Sequence, residues 1–111
     1  MKYIQTDQAP SAIGPNSQAV ALGDLLFCSG QIPLHPITMQ IVGESAAEQA
    51  EQVLRNLAEV LEAGGSGLGR VVKTTIFLAS MADFAAVNEV YAQAFGEHRP
   101  CLLYTSPSPR D

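Results

Sequence analysis

Short apolar runs fill the first third of the chain, and stripes of helical period fill the middle, with proline and glycine marking the breaks. Tyr3 to Gln5 can form at most a short opening strand, because Ala9-Pro10 and Ile13-Gly14-Pro15-Asn16 interrupt the chain soon after. Gln18 to Leu22 and Leu25 to Ser29 are apolar runs separated by Gly23-Asp24, a pair suited to a tight turn because glycine accepts positive φ without steric cost. This pattern predicts a β-hairpin. Pro33 and Pro36 cannot donate ladder hydrogen bonds, so the chain leaves the sheet near Gly30 and continues as a loop to Gly43.

Ser45-Ala46-Ala47-Glu48 fits a capping box and marks a helix start. Ala46, Ala50, Val53, Leu54, Leu57, Val60 and Leu61 then recur at the helical period, with Glu51, Gln52, Arg55, Glu59 and Glu62 on the other side. Gly64-Gly65 supplies a left-handed cap at its end. Arg70 to Ala79 is crowded with Val, Thr, Ile and Phe and predicts a strand. A second helix is expected from about Met81 to Phe95, capped by Ser80 and ended by Gly96, with Phe84, Val87, Tyr91 and Phe95 on one stripe. Met81 and Phe84 read as core. Strand, helix, strand, helix after an opening hairpin gives an α/β (α+β) architecture, a mixed β-sheet with two helices packed on one face.

At 111 residues the chain suits one domain, and its 47% hydrophobic content is enough to build a core. Six basic against eleven acidic residues give a net charge of −5, and the basic residues are scattered, so nucleic acid is not an expected partner. The start of the chain lacks the apolar stretch of a secretory signal, and no run approaches the ~20 residues of a membrane span, which leaves a cytoplasmic protein without membrane contact as the expectation. His35, His98, Cys28 and Cys101 have no metal-ligand spacing, so no metal is expected. Cys28 reads as a small buried hydrophobe, His35 as a loop residue, and His98 as a partner of the second helix dipole.

Several motifs in order carry a family resemblance: Ala12-Ile13-Gly14-Pro15, Cys28-Ser29-Gly30-Gln31-Ile32-Pro33, Val72-Lys73-Thr74-Thr75-Ile76-Phe77-Leu78, Asp83-Phe84, and Val87-Asn88-Glu89-Val90-Tyr91. Together they resemble the Rid family, the reactive intermediate (enamine and imine) deaminases, from the N-terminus to about Pro100. The resemblance implies a Rid-like (chorismate mutase-like) fold and a cofactor-free homotrimer with pockets between subunits. It also implies hydrolysis of 2-imino acids such as 2-iminobutanoate and 2-iminopropanoate to 2-oxo acids and ammonia. The site residues it carries over are Ser29 and Gly30 at the strand end and Asn88 on the second helix. Asn16 stands where many members have a pocket tyrosine.

An imine carbon is already electrophilic, so the protein must hold the substrate carboxylate, place a water and move protons. A guanidinium and a carboxylate suit these tasks, and the family supplies an Arg two residues after the proline matching Pro100 and a Glu on its last strand. Here Leu102 stands at the Arg position, and no Glu-bearing closing strand follows within the 111 residues. The catalytic residues are therefore unknown from this sequence. Cys101 to Thr105 could form a short strand, but Ser106-Pro107-Ser108-Pro109-Arg110-Asp111 is polar and interrupted by proline. Residues 1–100 accordingly read as an incomplete Rid-like domain. Residues 101–111 read either as a native, divergent ending or as a foreign, frame-broken tail replacing the C-terminal strands. The abrupt loss of pattern favours the second, and with it an impaired enzyme. The competing reading is a non-catalytic ligand-binding module.

Overall fold

The computed structural model describes residues 1–107. Strand β1 (Lys2–Ile4) pairs antiparallel with β2 (Ala19–Leu22), which pairs antiparallel with β3 (Leu25–Cys28). The hairpin turn falls at Gly23, whose φ of 59° is the positive value that glycine tolerates. Helix α1 (Ala46–Ala63) begins at the expected capping box: the Ser45 hydroxyl accepts from the Glu48 N–H, and the Glu48 carboxylate accepts from the Ser45 N–H. The bonds that the Glu48 carboxylate accepts, from the Ser45 N–H first and then from the Ser45 hydroxyl and the Glu44 N–H, hold it below its ordinary pKa. Gly65, with φ of 81°, takes the left-handed conformation that follows the helix, while Gly64 does not.

The next strand is shorter than its sequence suggested. Leu68–Arg70 forms a single 3-10 turn, and β4 spans Lys73–Phe77. Ser80 caps as expected, its hydroxyl accepting from the Ala82 N–H, but it starts a 3-10 turn over Met81–Asp83 that leads into α2 (Phe84–Phe95). Strand β5 (Cys101–Thr105) then lies parallel to β4, with Thr74 opposite Leu102 and Ile76 opposite Tyr104. The α+β architecture and both directions of strand pairing are present. They are divided between an antiparallel ladder of three strands and a parallel ladder of two, with no pairing between β3 and β4 among the described residues.

Each ladder carries one helix. Ile4, Ala9, Ala19 and Val60 form a buried cluster against which Ala21, Leu26 and Cys28 pack, so α1 covers the antiparallel ladder. Buried Val87, Tyr91 and Phe95 form the inner stripe of α2, and the Tyr91 hydroxyl hydrogen bonds to Thr74 Oγ1 of β4 at 2.8 Å. The helices contact each other directly. Three expectations about side chains are corrected. Gln52, assigned to the polar face of α1, is buried with a hydrogen bond to buried Asn56. Met81 and Phe84 are exposed rather than core, because they lie on or beside the 3-10 turn ahead of the buried stripe, where Phe84 packs edge-to-face with Tyr104. His98 hydrogen bonds through Nε2 to the Val71 carbonyl, tying the end of α2 to the approach of β4 instead of serving the helix dipole. Cys28 is half-buried, and burial pushes its thiol pKa up, as suits an unreactive packing residue.

Among the described residues no helix covers the outer face of the antiparallel ladder. Tyr3, Val20 and Phe27 lie side by side across it by register, and Tyr3 and Phe27 are 66% and 58% exposed.

Candidate functional site

Ser29 follows directly on β3, where the ladder ends and two loops converge. Its N–H donates to the Gln18 carbonyl at 3.0 Å, and its hydroxyl donates to the Ser17 carbonyl at 2.5 Å. With its proton committed, the Ser29 oxygen faces any ligand as an acceptor. Gly30 is exposed, and a Cβ built on it would meet nothing within 4 Å, so its backbone stands open to approach from solvent.

Ser29 is tied to the segment that holds Asn16. The Asn16 N–H donates to the Gly14 carbonyl at 2.9 Å, closing a tight turn whose glycine has φ of 89°. Asn16 is exposed and lines an open cavity of about 500 Å³ with Thr6, Asp7, Ser17, Gln18 and Ile37. The buried Gln18 amide donates to the carbonyls of Thr6 and Pro10 at 3.1 and 2.7 Å, while its oxygen accepts from the Thr6 N–H at 2.7 Å. This side chain fixes one wall of the cavity.

Asn88 lies in the other half of the molecule. It sits on α2, half-buried, and its Oδ1 accepts from the Tyr104 hydroxyl of β5 at 3.1 Å. What Asn88 offers a ligand is therefore its amide N–H groups. Burial, and secondarily the neighbouring Tyr91, raise the Tyr104 pKa, which keeps that hydroxyl protonated and donating. Leu102 also lies on β5, opposite Thr74, and is partly exposed. Thus the structure brings Ser29, Gly30 and Asn16 to one end of the antiparallel ladder and places Asn88 and Leu102 with the parallel one.

Among the described residues no group of His, Cys, Asp and Glu could hold a metal ion, and no helix is long and apolar enough to cross a membrane. Sequence reasoning missed Gln18 and Asn56 as residues that fix the loops around Ser29. The available signals were an amide at the head of the apolar run of β2 and, for Asn56, an amide on the apolar stripe of α1 between Val53 and Val60.

The family model described as Endoribonuclease L-PSP matches residues 6–105. A RutC family protein of Synechocystis is 56% identical over 98 residues, covering 87% of this chain and 75% of the relative. The 2-iminobutanoate/2-iminopropanoate deaminase of Homo sapiens is 46% identical over 99 residues, covering 89% of this chain and 72% of the relative. The crystal structure of RidA from an Antarctic Psychrobacter superposes with a TM-score of 0.90 at 40% identity, covering 95% of this chain and 85% of that one. With a family match that runs from the loop after β1 to the end of β5 and takes in both helices and every motif quoted above, the chain belongs to the Rid family, the group whose model is described as Endoribonuclease L-PSP.

Proposed function

We propose that the protein hydrolyses small 2-imino acids, 2-iminobutanoate and 2-iminopropanoate, to 2-oxo acids and ammonia. The observation that carries this reading is the 46% identity, across 89% of the chain, to a human protein named for that activity. In the reaction, water adds to the C=N carbon, the carbon–nitrogen bond breaks, and ammonia leaves as the carbonyl forms. Ser29, as an acceptor, suits the N–H of a protonated imine, and the open backbone at Gly30 lets a small substrate approach closely. Asn88, as a donor, suits the substrate carboxylate or the attacking water.

The Rid resemblance implies a homotrimer with its pockets between subunits, and residues on different halves of one chain fit such a pocket. The uncovered apolar sheet face bearing Tyr3 and Phe27 is the surface such an assembly would bury. No cofactor enters the scheme. The net charge of −5 argues against an RNA substrate despite the description of the family model.

Leu102 cannot compensate a carboxylate, and we infer that it limits this chain. Ammonia release from freshly generated 2-iminobutanoate is expected to exceed the buffer rate only modestly, and Leu102→Arg is expected to raise kcat/KM at least about tenfold by adding one charge-assisted pair. Absence of turnover in both proteins would remove the deaminase reading. Leu102 favours the alternative, a non-catalytic binding module for neutral or apolar ligands. That reading fails if the chain binds 2-oxobutanoate with clear salt dependence.

A further inference from the structure

Asn56 is buried to 1% exposure on α1, in a stripe it shares with Val60. A leucine there would satisfy the helical pattern, and a buried amide is costly unless every group is paired. It is fully paired. Nδ2 donates to the carbonyls of Leu34 and Ile32 at 2.9 and 3.3 Å, and Oδ1 accepts from Gln52 Nε2 at 2.8 Å. Arg55 supports Gln52 in turn, donating to its Oε1 at 3.2 Å.

Both carbonyls belong to the segment that leaves β3 through Ser29 and Gly30. The start of that segment is fixed to β2 and its approach, by Ser29 N–H to Gln18 and the Ser29 hydroxyl to Ser17. Its far end is fixed to α1 by Asn56, and beyond it the Val42 N–H donates to the Pro33 carbonyl at 2.7 Å. Residues 30–34 therefore span two anchor points on different elements, and releasing either lets the strand end swing.

We propose that Asn56 is a positioning residue: by holding the Ile32 and Leu34 carbonyls it sets the exit direction of the chain from β3, and so where the Ser29 oxygen and Gly30 backbone meet substrate. The substrate rests on the deaminase reading; the positioning itself does not.

Asn56→Leu in the full chain tests it by amide hydrogen exchange and steady-state kinetics. Exchange at Ser29, Leu34 and Val42 is expected to rise about tenfold, the effect of losing one net hydrogen bond, with exchange at Gly64 and Ser66 beyond α1 unchanged. KM for 2-iminobutanoate should rise several-fold while kcat changes less. A folded variant with unchanged exchange at Ser29 and Leu34, or with a uniform rise along α1 and an unchanged KM, overturns the proposal. Should Asn56→Leu aggregate, Gln52→Leu keeps both Asn56 bonds to the loop carbonyls and removes the support at Asn56 Oδ1 together with the acceptor of exposed Arg55; a smaller rise at the same three amides is expected, and no rise overturns the proposal. If the unsubstituted chain turns nothing over, the deaminase reading falls, and the exchange pattern alone decides the positioning role.

Discussion

The two halves of the molecule are held together differently. Around α1, aliphatic burial dominates, with Val60 fully enclosed among Ile4, Ala9 and Ala19, while the amides of Gln18 and Asn56 pin the neighbouring loops by their backbone carbonyls. Around α2, hydroxyl and ring groups make the cross-element bonds: Tyr91 to Thr74, Tyr104 to Asn88, and His98 to Val71. The first half thus fixes backbone, as a ligand edge built from Ser29 and Gly30 needs. In the second half two of the three bonds join side chain to side chain, and its candidate residue Asn88 depends on what β5 presents to it.

The sharpest test of this contrast is Val60→Ala. Removing two buried methyl groups from the enclosed site should cost about 2 kcal/mol, read as a lower urea midpoint with an unchanged m-value. A cost below about 0.5 kcal/mol would mean that the α1 half does not rest on this packing. Tyr91→Phe should cost less, about 1 kcal/mol, because it deletes one hydrogen bond and keeps the ring. Its effect should appear as faster exchange along β4 and α2, leaving β1 to β3 unchanged.

The smallest effect concerns pH. The folded state raises the Tyr104 pKa above the ordinary value of 10.0, so folding favours the protonated hydroxyl. The associated stability is present below that ordinary value and is lost as pH rises through the higher folded value. A denaturation series from pH 8 to 11 should show a decline above about pH 10 that Tyr104→Phe reduces. An identical decline in the variant would assign it to another group.

Local chemistry made much of the fold legible. The Ser45 capping box, the Gly23 turn and the apolar period of α1 each depend on residues close in sequence, and each appears where its pattern placed it. The sequence misled where burial depends on distant elements. Gln52 belongs to the polar set by type, yet it lies inside because Asn56 and the loop carbonyls give it a partner network. Met81 and Phe84 are apolar, yet they stand on or beside the 3-10 turn ahead of the buried stripe, where Tyr104 of β5 gives Phe84 only partial cover. Of the candidate site, the association of Ser29 with the segment bearing Asn16 follows from the hairpin. The bond between Asn88 and Tyr104 could not be read in advance, since it depends on β5 lying beside β4.

The division of the strands into two ladders has a mechanical consequence. Because no strand-to-strand hydrogen bonds join β3 to β4 among the described residues, a pull applied between β1 and β5 would not meet a continuous zipper. The load would pass instead into the packing of α1 against α2, which has no such ladder and should yield at lower force than either set of paired strands.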